Sequence, residues 1–338
     1  MPMKENAYLV IDLGGTYFRL ATYIPSVQKI TAIKKIETLN YLATRQDSQN
    51  NLEDKFINHL LLNMETYIEE NSSFTFSKIG IAFAGPVSPQ GVIHRAPTIT
   101  GNLNIDLNLK KILKKKMQRD VVAINDVSAA TWYFASSENE PFCAITVSSG
   151  IGNKVFYNNS ILINDTGYGG EIGHYTCDHS ENAPLCDCGG KGHLGAIASG
   201  RGVLAKVKLE SAKSPEKFIN SKLSALCPKA QDLTTHHIVQ AILEDDPFTT
   251  DILDQTTAPL SEAIGLIYAA IGIRRYIIFG GFAQAIGTRY LSSLIKQIKR
   301  FALFGLNENQ VETMFTLASE KEPCLIGMGI FLDRAEGV

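Results

Sequence analysis

Three apolar strands in this chain each run straight into glycine. In "AYLVIDLGGT" residues 8–11 are apolar and rich in branched side chains, Asp12 closes the run, and Gly14, Gly15 and Thr16 follow. The strand that begins at Cys143 in "CAITVSSGIGNKVFY" leads into Gly150, Ile151 and Gly152. The strand at Tyr276 in "RRYIIFGGFAQAIG" leads into Gly280 and Gly281. Glycine at a strand exit lets the backbone approach a ligand closely and turn its N–H groups toward an anion such as phosphate. One glycine pair alone is an ordinary turn; three of them at strand exits favour a fold that gathers those exits around a ligand. The first two also share the order strand, glycine turn, strand, a hint of a duplicated unit.

Helical stretches separate the strands. "FINHLLLNMETYIEE" (56–70) repeats apolar residues three and four apart, and "VSAATWYFAS" follows the strand "VVAIND" as a helix would. The strand in "KIGIAFAGPVSP" is stopped by Gly85 and Pro86, residues 197–271 read as mostly helical, and "PCLIGMGIFLDRAEG" reads as a final helix. The alternation predicts an α/β fold with a mixed sheet, and 338 residues leave room for two domains.

Composition narrows the function classes. A 45% hydrophobic and 20% charged chain is globular, and a net charge of -2 gives no basic field to draw in nucleic acid. The lysine run in "KKILKKKMQRD" reads as the solvated face of a helix. No stretch has the length of uninterrupted apolar residues that a membrane span needs, and the opening residues lack the pattern of a secretory signal. The expected location is cytoplasmic, with no membrane partner. In that reducing setting the cysteines favour zinc or free thiols over disulfides.

Two carboxylates stand at strand ends. Asp12 can carry Mg2+ directly or through water, because hard oxygens suit that ion. Asp126 closes "VVAIND". It can take a proton from a hydroxyl that receives a phosphoryl group, or it can cap the helix behind it. Neither GxxxxGK[ST] nor GxGxxG occurs, so the phosphate turns are not a P-loop or a dinucleotide fingerprint.

The segment "HYTCDHSENAPLCDCGGKGHLG" (174–195) holds three of the six cysteines and three of the seven histidines in a loop rich in turn residues. His174, Cys186, Cys188 and His193 supply two imidazoles and two thiolates, enough for a closed tetrahedral zinc site. Four protein ligands leave no open position, so such a metal is structural. Cys177 and His179 are nearby substitutes or bystanders, and the plainer alternative is a loop of sheltered free thiols.

The ordered set "IDLGGTYFRLA", "GIAFAGPVSPQGVI", "INDVSAA", "GYGGEIGH", "CDCGGKGH", "AIASGRG" and "IIFGG" resembles the ROK family of sugar kinases, within the actin-like, hexokinase-like ATPase superfamily. The resemblance implies a two-domain α/β fold with ribonuclease H-like cores and an interdomain cleft. Residues 1–133 would form a small N-terminal domain to which a helix at 323–338 returns, and 134–322 the larger one, with a hinge near 130–142. It further implies ATP-dependent phosphorylation of a hexose or amino sugar such as glucose or N-acetylmannosamine. Asp12, Gly14, Gly15, Thr16, Gly150, Gly152, Gly280 and Gly281 would bind Mg2+ and ATP. Gly85, Asn125, Glu171 and His174 would bind the sugar, His174 also the zinc, and Asp126 would be the base. Many relatives are homodimers or homotetramers. Some are repressors with a DNA-binding domain in front; here the first phosphate motif begins at Asp12.

The sequence also departs from that family. His193 stands where the last zinc cysteine is expected, and Gly195 where a sugar-binding Glu is usual. Thr98 replaces a common Asn. A hydroxyl that relied on the missing carboxylate would go unpaired. The substrate is then altered, a cyclitol among the candidates, or Asp178, Asp187 or His193 replaces the carboxylate, or activity is weak. Alternatives in other classes are a non-catalytic sugar-binding regulator, an ATPase that drives conformational change, and a metal-dependent hydrolase.

Overall fold

The computed structural model describes residues 4–40, 49–96, 99, 104–301 and 303–334; Thr98 lies outside the described residues. The chain divides into two units. One comprises Met1–Asn139, Ser160–Gly169 and Glu322–Val338, the other Glu140–Asn159 and Gly170–Lys321.

The first unit is built on β1 (Glu5–Leu13), β2 (Tyr17–Ile24), β3 (Lys29–Glu37), β4 (Phe74–Phe83) and β7 (Asp120–Asn125), in the order β3-β2-β1-β4-β7. Two short strands, β5 (Val92–Arg95) and β6 (Asn104–Asn108), pair separately. β1 lies antiparallel to β2 and parallel to β4, and β4 is parallel to β7. β1 is central and covered on both faces, so it reads as a continuous apolar run and not as an alternation. Leu9, Ile11 and Leu13 pack with Phe56, Leu60 and Met64 of the helix Gln49–Glu70. Tyr8 and Val10 pack with Leu325, Met328 and Leu332 of the helix Pro323–Arg334. The lysine run lies on the helix Leu109–Met117, which buries Leu109, Leu113 and Met117 and exposes Lys114, Lys115 and Lys116.

The last helix packs on the helix Asp126–Phe134 through glycine. A Cβ on Gly327 would lie 1.9 Å from the Ala129 carbonyl oxygen, whereas one on Gly80 would meet the flexible Met328 side chain at 2.7 Å. Gly327→Ala therefore has to separate two backbones, and is expected to lower stability by about 1–3 kcal/mol or more. Gly80→Ala is expected to lose less. Urea unfolding midpoints of the two variants check this; a Gly327→Ala midpoint equal to wild type would contradict the packing.

The second unit repeats the arrangement. β8 (Phe142–Val147) is antiparallel to β9 (Ile151–Tyr157) and parallel to β11 (Tyr276–Phe279), which is parallel to β12 (Phe315–Leu317). The sequence echo is thus real in topology: β8 has the same pair of neighbours, one antiparallel hairpin partner and one parallel strand, as β1. After β9 the chain forms the short strand β10 (Ser160–Ile161), in the segment Ser160–Gly169 that belongs to the first unit. Helices including Gly200–Lys213 and Pro247–Ile271 complete this unit's core, the first capped by Ser199 and the second by Asp246. Among the described residues no helix is long and apolar enough to cross a membrane.

Candidate active site and metal centre

Parallel strands bring their carboxyl ends to one edge, where open α/β sheets bind ligands. In the first unit the register aligns Asp12 with Ala82 and Ala82 with Ile124, and next Leu13 with Phe83 and Phe83 with Asn125. Asp12, Gly85, Asn125 and Asp126 therefore gather at the same edge. Asn125, not Asp126, is the helix cap: its Oδ1 accepts from Ser128 N at 3.0 Å. Its Nδ2 donates to the Gly85 carbonyl at 3.0 Å and to Asp126 Oδ1 at 2.9 Å. Asp126 is the first helical residue and also accepts from Val127 N at 2.8 Å. An anionic carboxylate is favoured at that helix N-terminus.

Asp12 pairs with Arg19, directly across the β1–β2 ladder, and Arg19 also pairs with Glu322. Burial lowers the Arg19 pKa, but Asp12 and Glu322 outweigh it, so the guanidinium stays charged. Arg19 binds Asp12 Oδ2, which is compatible with Mg2+ held through water at Oδ1. Burial, then the charges of Asp12 and Asp126, push the Cys324 thiol well above its usual range. Both carboxylates thus act on one thiol, and it stays neutral between them. The turn after β1 is fixed by Thr38 Oγ1 donating to the Gly14 carbonyl at 2.7 Å and Asn40 Nδ2 to the Gly15 carbonyl at 2.8 Å, with Thr16 next in the turn.

In the second unit, Gly280 has φ +99°, and a Cβ there would lie 2.7 Å from both Thr146 Oγ1 and the Val147 carbonyl. Only glycine lets the β11 exit lie this close to the β8 exit. The helices beginning at Gly200 and Gly281 both start beside Ser148: Gly200 N donates to its carbonyl at 2.8 Å, and a Cβ on Gly281 would be 3.9 Å from its Oγ. A Cβ on Gly150 would meet nothing within 4 Å, which leaves space for a ligand against this backbone. Phosphate fits such a set of strand exits and helix N-termini. Gly152 lies within β9, paired with Thr146, so the turn itself is shorter than the sequence suggested.

The same unit carries Glu171 and His174 on the segment after β9. Asn153 N donates to the Gly170 carbonyl at 3.1 Å, and Asn153 Oδ1 accepts from Ile172 N at 3.2 Å. Glu171 pairs with Lys154 Nζ at 3.2 Å.

Among the described residues, His174, Cys186, Cys188 and His193 offer ligand atoms that all lie within 4.8 Å of one another. Cys186 Sγ is 3.8 Å from His174 Nδ1, and Cys188 Sγ is 3.2 Å from His193 Nδ1. A tetrahedral zinc with ordinary Zn–S and Zn–N bonds separates such atoms by about 3.5 Å. The donor set fits a structural metal such as zinc. His193 reaches in because Gly190 has no side chain: a Cβ there would lie 2.3 Å from the imidazole. Cys177 is not in the set; its thiol points to the Gly192 carbonyl at 3.6 Å. His179 is also outside it.

The three groups that could stand in for the carboxylate missing at Gly195 each have another partner. Asp187 pairs with Arg201, Asp178 accepts from Ser180 N at 2.9 Å, and His193 belongs to the metal set. A Cβ on Gly195 would approach the Gly173 carbonyl to 3.1 Å, so its helix lies tight against the segment that carries Glu171 and His174.

Residues 8–334 match the model of the ROK family. The chain belongs to the ROK family. A C(7)-cyclitol 7-kinase from Streptomyces hygroscopicus subsp. limoneus is 38% identical over 325 residues, 95% of this chain and 92% of that one. A glucokinase from Thermotoga maritima is 25% identical over 288 residues, 84% of each chain. A ROK family glucokinase from Streptomyces griseus, solved with glucose and AMPPNP, has the same fold: TM-score 0.76 at 18% identity, covering 96% of this chain and 98% of that one. Membership of this ROK family and its kinase relatives support ATP-dependent phosphotransfer to a sugar-like molecule.

Three residues at these sites escape a reading of the sequence. Arg19 and Arg201 look like surface charges, yet one holds Asp12 and the other ties Asp187 to the Ser149 carbonyl at 2.6 Å. Lys154 is the third; its one sequence signal is a lysine followed directly by the apolar run Val155, Phe156 and Tyr157.

Proposed function

We propose that this protein is an ATP-dependent kinase of a C7 cyclitol, transferring the γ-phosphoryl group to the hydroxyl on the carbon outside the ring. The carrying observation is the 38% identity, over 95% of the chain, to a C(7)-cyclitol 7-kinase. Gly195 supports it independently. At the position where relatives of the hexose type place a carboxylate, even a Cβ would here lie 3.1 Å from the Gly173 carbonyl oxygen. A carbocycle has no ring oxygen and no anomeric hydroxyl, so its demand for acceptors differs from that of a hexose.

In this reading Asp126 accepts the proton of the acceptor hydroxyl as its oxygen bonds to the γ-phosphorus and the bond to ADP breaks. Asn125 and Gly85 hold that carboxylate in place. Asp12 serves the Mg2+ that accompanies the nucleotide and offsets charge on its phosphates. The glycine turns at Gly14, Gly15, Thr16, Gly150, Gly280 and Gly281 face the phosphates, while Glu171 and His174 hold ring hydroxyls. The zinc set braces the loop and takes no part in the transfer.

ADP release should be measured with a panel of C7 cyclitols, glucose, N-acetylmannosamine and N-acetylglucosamine. The C7 cyclitol is expected to give a kcat/KM at least about 100-fold above any hexose, the scale by which a site built for one set of hydroxyls rejects another. Equal or better turnover of glucose would overturn the cyclitol assignment, and no turnover of any acceptor would overturn the kinase.

A further inference from the structure

Lys154 is the only described lysine or arginine that is buried. It sits on β9 with its side chain 2% exposed, while its partner Glu171 is 33% exposed. Its stem runs beneath Gly170, where a Cβ would lie 3.2 Å from Lys154 Cδ. The ammonium meets Oε1 of Glu171. A cation this deep persists only with a partner. The partly open carboxylate above it therefore presents its charge already balanced from below.

That balance bears on the acceptor. An unpaired carboxylate in a partly closed site favours a protonated amine, because opposite charges attract strongly where water is scarce. A carboxylate neutralised by a buried ammonium still accepts a hydrogen bond from a hydroxyl but no longer draws a second cation; two ammonium groups on one carboxylate repel.

We propose that Lys154 is a specificity-determining positioning residue, which fixes Glu171 as an acceptor for a neutral ring hydroxyl and turns away cyclitols that carry an amine. The proposal rests on the reading of Glu171 as a substrate contact given above. Lys154 itself need not touch the substrate.

The test uses two acceptors: a C7 cyclitol bearing only hydroxyls, and the same cyclitol with one ring hydroxyl replaced by a primary amine. Wild type, Lys154→Met, Glu171→Gln and the double variant are compared by kcat and KM. Methionine keeps an unbranched stem in the apolar surroundings. For Lys154→Met the preference for the hydroxyl form, as a ratio of kcat/KM values, is expected to fall at least about 10-fold, mainly through KM. In the Glu171→Gln background the added Lys154→Met change removes the unbalanced cation and is expected to bring that ratio back below the value of Glu171→Gln alone. Glu171→Gln alone leaves the buried cation unbalanced and is expected to widen the preference; this variant reads the same effect should Lys154→Met fail to fold. A folded Lys154→Met with the wild-type ratio, or a Glu171→Gln ratio that does not rise above wild type, would overturn the proposal. Transfer by wild type to neither cyclitol would instead overturn the cyclitol reading and this inference with it.

Discussion

Replacing Asp126 with alanine is expected to lower kcat on the best cyclitol acceptor by about 10²- to 10⁴-fold, the range over which a positioned base acts. The fold should tolerate the change, because the helix cap is Asn125 and not Asp126. Asp126→Asn is the sharper variant. It retains an oxygen for the Val127 N–H, which Asp126 Oδ1 now accepts at 2.8 Å, and loses only the basic carboxylate. Nucleotide affinity and thermal midpoint should stay near wild type in both, with the loss in kcat and little of it in KM. Turnover within threefold of wild type would remove Asp126 from the base role.

Loss of metal from the loop 174–195 is the second large effect. Metal analysis of protein purified without chelator is expected to find about one zinc per chain. Cys186→Ser with Cys188→Ser is expected to abolish it. The loop is held by few apolar contacts and by turns such as Cys186 N to the Gly190 carbonyl at 2.7 Å, so the metal supplies much of its order. Structural zinc contributes on the order of 10 kcal/mol in small peptides. If about 3 kcal/mol of that reaches this unit's global stability, the thermal midpoint falls by about 6–12 °C. Activity should fall with it, because His174 belongs to both the metal set and the segment that carries Glu171. Wild type that holds no metal when purified without chelator, or whose midpoint as purified equals that of the double variant, would contradict the assignment.

Much of this was legible in residue order because strand exits and helix starts are local features. The apolar run before Asp12, the run before Asp126 and the pair at Gly280 each announce a strand that stops. The metal ligands were legible because thiols and imidazoles are rare and here are crowded together. What escaped depends on partners far away in sequence. Arg19 is read as exposed until β1 and β2 pair and Glu322 arrives from the other end of the chain. Lys154 resembles a strand lysine facing water, and only the fold shows β9 covered on that side. The capping role of Asn125 was misplaced by one residue, because Asn and Asp are equally good caps and only the backbone angles separate them. Gly195 was noticed for the side chain it lacks; its close approach to Gly173 is a packing fact that no local pattern encodes.

The most direct test is a competition in which equimolar C7 cyclitol and glucose share one limited supply of ATP, with the phosphorylated products separated by mass and examined by proton-coupled phosphorus NMR. The expected outcome is a single dominant product, the cyclitol monophosphate, whose phosphorus signal is a triplet from the two protons of the carbon outside the ring. A predominance of hexose phosphate, or a doublet that places the phosphate on a ring carbon, would contradict it.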